Sequence, residues 1–141
     1  MANPPFAIVL RISDVAPSRS DLEAALGVRV VRYEATRTGS LHYAQVDVIA
    51  GDIEILAEDD LWAQIIVRIE QLGPHIRALR NDHLIGRVSI DLAVSFGETS
   101  ALATYHLPSR VAEVLGREGI DIEFSVYLVT RTNDDEGTHI R

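Results

Sequence analysis

Three stretches of the chain alternate apolar and polar residues one by one. The clearest is 87–96, and 6–13 and 120–129 repeat its pattern. Successive side chains of a strand point to opposite faces of a sheet, so each stretch predicts a strand with one apolar face. We predict that the three strands are neighbours in one sheet, whose apolar side helices must cover.

Two longer segments have apolar residues at spacings of three and four, which is typical of helices with one buried face. The first runs from Leu61 to Leu79 and contains Pro74, which predicts a kink or two short helices that share one buried face. The second covers 108–118 and ends before Gly119.

A shorter helix is predicted ahead of these two. Ser20 and Glu23 have the spacing of a capping box, in which each side chain binds the other residue's backbone amide. The helix then runs to Leu26, and Gly27 stands where a left-handed stop is usual. Residues 28–33 and 41–49 complete the pattern as a hairpin.

The predicted order is β-α-β-β-α-β-α-β. It indicates an α+β two-layer sandwich with a mainly antiparallel sheet of about five strands and helices on one face. Its first six elements match a ferredoxin-like arrangement, to which a helix and a strand are added. At 141 residues the chain fits one domain, 1–141, with 1–5 and 131–141 expected to be loose.

Composition narrows the classes of function. The formal charge of −8 disfavours nucleic-acid binding, because phosphate backbones would be repelled. The chain has no cysteine, which excludes disulfides and thiolate metal sites and fits a cytoplasmic protein. No apolar run approaches the ~18 residues of a membrane helix, so no membrane association is expected.

Several motifs along the chain form a family-like pattern: Leu61-Trp62 to Leu79, the strand Val88 to Phe96, His106-Leu107-Pro108-Ser109 at the start of a helix, and the later Leu115, Gly119, Ile120-Asp121-Ile122 and Val126-Tyr127. The start, Phe6 to Gly27, belongs to the same pattern. In these features the chain resembles an uncharacterised bacterial family, the domain-of-unknown-function family numbered 4279. The resemblance implies a compact intracellular domain and brings no catalytic residues with it.

The polar face of the predicted sheet carries the candidate functional residues. We expect this face to be uncovered and to hold Arg11, Ser89, Asp91, Asp121, Glu123 and Tyr127. It has three interpretations: the solvated back of an antiparallel sheet, a contact surface for a protein, or clustered carboxylates that bind a divalent cation or share a proton.

Other motifs with known chemistry are missing from the sequence. The five histidines lack metal-ligand spacing, the glycines form no phosphate-binding loop, and no Gly-x-Ser-x-Gly elbow surrounds a serine. We therefore expect no cofactor and a non-enzymatic binding or regulatory domain that self-associates or contacts a protein partner through the open face. A special case is an acidic, immunity-like inhibitor of a basic toxin. The alternative is a divalent-metal-dependent enzyme that uses the carboxylates of that face.

Overall fold

A computed structural model describes residues 5, 7–36, 39–49, 57–97, 105–131 and 138–140, with the backbone alone for 129–131 and 138–140. These residues form, in chain order, β1 (Ala7–Val15), α1 (Arg19–Leu26), β2 (Val30–Ala35), β3 (His42–Asp47), α2 (Glu58–Asn81), β4 (Val88–Gly97), α3 (Ser109–Arg117), β5 (Asp121–Arg131) and β6 (Thr138–Ile140).

The strands form one sheet in the order β2-β3-β1-β4-β5-β6. Every neighbouring pair is antiparallel except β4 and β5, which α3 connects as parallel strands. The α+β fold class and the mainly antiparallel sheet are confirmed, and so is the prediction that the first, fourth and fifth strands are neighbours. The short β6 lies within 131–141, where the sequence predicts a loose tail.

The core lies between this sheet and the helices. Its largest fully buried side chains include Leu10 and Ile12 of β1, Ile90 and Leu92 of β4, and several residues of α2. Helix α2 packs against both α1 and α3, so the three helices form one layer on one side of the sheet. The alternation in β1 and β4 therefore produces the face that the helices bury.

Helix α2 continues as one helix through Pro74, so the predicted alternative of two short helices is wrong. The Pro74 side chain is exposed. The buried residues of α2 recur at three and four positions, as the sequence predicts. The acidic residues Glu58, Asp59 and Asp60 occupy its first turn, where the helix dipole favours negative charge.

The start of α1 differs from its prediction. Ser18, not Ser20, is the N-cap, and its side chain accepts a hydrogen bond from the Asp21 amide. Glu23 instead accepts a hydrogen bond from the Val30 amide at 2.8 Å. The capping-box prediction is wrong because β2 offers Glu23 a backbone partner, the Val30 amide, seven residues further along the chain. Gly27 has φ 72° and ends the helix in the left-handed conformation, as predicted.

Candidate interaction surface

The two faces of strand β5 differ in polarity, and its register with β4 shows which residues lie on each face. Asp91 is level with Glu123, and Ala93 is level with Ser125. Leu92 is level with Phe124 on the opposite face, the side of the helices. The polar face of β5 is therefore continuous with Arg11, Ser89 and Asp91, and its apolar face is continuous with the core.

The polar face contains two neighbouring groups of hydrogen-bonded side chains, which we call together the polar network: Arg11, Asp91 and Ser125 in one group, and Ser89 and Glu123 in the other. Arg11 donates a hydrogen bond from Nη2 to Asp91 Oδ2 at 2.7 Å. Ser125 donates one to Asp91 Oδ1, also at 2.7 Å. Ser89 donates one to Glu123 Oε1. Both oxygens of Asp91 thus have protein partners.

The Arg11–Asp91 pair matters for the structure because the Asp91 carboxylate is buried and needs a charged partner. The Asp91 side chain is 5% exposed and that of Arg11 37% exposed, although no described helix covers this face. The hydrogen bond that Arg11 donates to Asp91 raises the pKa of Arg11 above its ordinary value, although desolvation acts in the opposite direction. The guanidinium therefore stays charged and neutralises the buried carboxylate.

Four of the six predicted site residues meet in this network, and two lie outside it. Asp121 is at the start of β5, where its Oδ2 is 3.7 Å from Arg87 Nε in an exposed ion pair. Tyr127 is level with Ser95, further along the strand, and is 38% exposed.

Ser125 was not among the predicted site residues. The alternation of β5 places Ser125 on the polar face, two positions after Glu123. That Ser125 binds Asp91 becomes visible only when the register of β4 and β5 is known.

The polar network is better suited to joining strands than to binding a metal. Arg11 already supplies the positive charge next to Asp91, and a cation placed there would be repelled by the guanidinium. Among the described residues, no group of three or more histidine and acidic side chains has a geometry that could hold a metal ion.

The apolar face of β5 is open. We call its four large residues the apolar strip: Ile122, Phe124, Val126 and Leu128, which are 36%, 49%, 60% and 43% exposed. On the adjacent strand, Ile90, Leu92 and Val94 are no more than 1% exposed. The prediction that helices cover the apolar face of all three strands therefore holds for β1 and β4 and fails for most of β5.

The lengths of two elements explain this difference. Helix α3 has nine residues, or about 14 Å of helix. Strand β5 has eleven residues, or about 36 Å of strand. Val111, Val114 and Leu115 of α3 enter the core, but a helix of this length cannot cover the whole strand.

Two cavities among the described residues lie away from both faces of β5. One, of about 310 Å³, lies along α2 and is lined by Val48, Ala63, Gln64, Val67, Arg68 and Gln71. A second, also of about 310 Å³, lies beside Arg68 and includes Gly27 to Arg29, Val31 and Asp47. Neither lining includes a residue of the polar network or the apolar strip.

Within the described part of the chain, none of the helices combines the length and the apolar character that a membrane crossing requires. Comparison with known proteins found no matching family model, no matching curated protein and no matching solved structure. The resemblance to family 4279 stays a prediction.

Proposed function

We propose that the protein is a non-enzymatic binding domain that contacts another protein surface through β5. The observation that carries the proposal is the apolar strip, four large side chains on one strand that are each more than a third exposed. Contiguous apolar surface of this kind is typical of protein–protein contact sites.

The proposed contact involves the apolar face of β5, whereas the alternation of residues had predicted a contact on the polar face. Burying the strip removes apolar surface from water, which contributes about 25 cal/mol per Å². The side chains of the polar network already have hydrogen-bond partners within the chain, so burying them contributes less free energy to binding. Their hydrogen bonds instead hold β5 against β4, and the strip is presented on a fixed strand.

A single substitution tests this proposal. Phe124→Asp places a charge in the middle of the apolar strip, and Val67→Asp is the matched control on the outer side of α2, where Val67 is 53% exposed. We expect the unmodified chain and the control to form a stoichiometric complex in light scattering, with a second copy or with a companion isolated from the native source. We expect the Phe124 variant to remain alone.

Two results would contradict the proposal. The first is an unmodified chain that is monomeric at high concentration and has no stoichiometric companion. The second is an equal loss of the complex in both variants. A basic toxin as the companion would favour the immunity-like case, in which opposite charges speed association. The expected absence of nucleic acid from the complex can be checked on the same material, and fractionation of cells checks the expected cytoplasmic location.

The metal-dependent enzyme is tested separately. A ligand that binds the native state raises its stability, so Mg²⁺, Mn²⁺ or Zn²⁺ bound to the carboxylates would raise the melting temperature. We expect no change with any of the three ions. A rise that disappears in Glu123→Gln would support the enzyme and count against the binding domain.

A further inference from the structure

We propose that the partner at β5 is a second copy of the chain, joined strand to strand along the outer edge of β5 in an antiparallel pair with a twofold axis at Phe124. The apolar strips of the two copies then lie side by side and bury the flanks that face each other. The inference rests on the proposed function and names the partner, the orientation and the register. In the resulting dimer the two sheets become one continuous sheet, and the helices of both copies lie on the same side of it.

Strand β5 has an outer edge that the described strands leave uncovered over Asp121–Val126. On one side β5 pairs with β4, and on the other the only described strand is β6, which pairs with Val129–Arg131. Unpaired backbone groups along an edge are a template for a further strand. This edge already accepts an antiparallel strand at its end, namely β6.

The opposite edge of the sheet, β2, is protected against the same pairing. Arg19 of α1 donates a hydrogen bond to the Val30 carbonyl at 2.6 Å, and Glu23 accepts one from the Val30 amide at 2.8 Å. The strand has a register shift between Val30 and Arg32. Charged side chains and bulges are known protections of edge strands. With one edge available, copies associate as a closed pair and do not extend into a fibre.

The residues of β5 are complementary to themselves about a twofold axis at Phe124. On the side of the helices, Phe124 then faces its own copy and Ile122 faces Val126. On the polar side, Glu123 faces Ser125 and Asp121 faces Tyr127. Apolar residues meet apolar residues, and no two like charges stand opposite each other, which are the conditions for a stable cross-strand pairing.

Cysteine cross-linking tests the register, because the chain has no cysteine of its own. Ile122→Cys and Val126→Cys are made as single variants and oxidised separately and as a mixture. In the proposed register each cysteine faces the other variant's position, at a distance that a disulfide spans. We expect the mixed disulfide to exceed either same-variant disulfide at least tenfold. Same-variant disulfides in equal or greater yield would overturn the antiparallel register.

A second measurement separates this inference from the proposed function. Sedimentation of the purified, unmodified chain is expected to show a dimer, and Phe124→Lys a monomer, since it places two like charges at the axis. Val67→Lys is the control and is expected to stay dimeric. A purified chain that is strictly monomeric overturns the inference. If that monomer still binds a companion from the native source and Phe124→Asp abolishes the binding, the proposed function stands.

Discussion

At the scale of single residues, the central feature is a buried carboxylate on a sheet face that no described helix covers. Asp91 is 4% exposed as a whole residue and is held between Arg11 and Ser125. A buried charge without a partner is strongly unfavourable, so Arg11 is required for the stability of this arrangement. Alternation alone selected Arg11, Ser89, Asp91 and Glu123 as members of one face.

Replacement of Arg11 should therefore destabilise the protein. We expect Arg11→Met to lower the free energy of unfolding by about 2 kcal/mol, because Asp91 loses its charged partner while the partial exposure of Arg11 limits the loss. Urea denaturation measures the change.

Arg32→Met is the matched control, since Arg32 forms an ion pair with Glu34 in which both side chains are at least half exposed. Exposed ion pairs contribute little to stability, so we expect no measurable change in the free energy of unfolding. Equal effects of the two substitutions would show that the Arg11–Asp91 pair is not a stabilising contact.

At the scale of elements, capping residues and hydrophobic spacing predicted the positions of helices and strands well. They predicted the hydrogen-bond partners of individual side chains less well. Gly27 and Gly119 both have positive φ and follow the helices that they were predicted to end. The capping box failed because Glu23 binds the amide of Val30. Pairing between α1 and β2 depends on how the chain folds back, which the spacing of Ser20 and Glu23 does not contain.

The true cap of α1 can be identified by substitution. We expect Ser18→Ala to cost about 1 kcal/mol of stability, because the Asp21 amide at the start of the helix loses its acceptor. Ser20→Ala should change stability far less, since Ser20 lies inside the helix and accepts no described bond from the helix amides. Thermal unfolding of both variants measures the difference, and a larger loss for Ser20→Ala would support the capping box instead.

At the scale of the whole molecule, net charge and sheet order act on the proposed dimer in opposite directions. The sheet order places β5 near one edge, where its apolar strip stays open. Each chain carries a formal charge of −8, so two chains repel each other at long range. The strip must supply enough free energy to overcome this repulsion.

Association should therefore strengthen as salt is added. Raising the ionic strength from 0.01 M to 0.1 M shortens the screening length from about 30 Å to about 10 Å. We expect the dimer dissociation constant to fall about threefold or more over this range, because the repulsion is screened while apolar contacts are kept. Sedimentation equilibrium at both salt concentrations measures it. A dissociation constant that rises with salt would indicate an interface based on ion pairs instead of the strip.

The order of apolar and polar residues was enough to predict the fold class, the approximate positions of the main helices and strands and the shared layer of β1, β4 and β5, because periodicity and turn residues act over a few neighbouring positions. It was also enough to predict which residues of those strands share a face. Only the folded chain shows that Arg11 and Ser125 meet Asp91, that Ser18 caps α1, and that α3 leaves most of the apolar face of β5 open. These facts depend on register, sheet order and the reach of a helix over a strand, which join residues up to 80 positions apart in the chain.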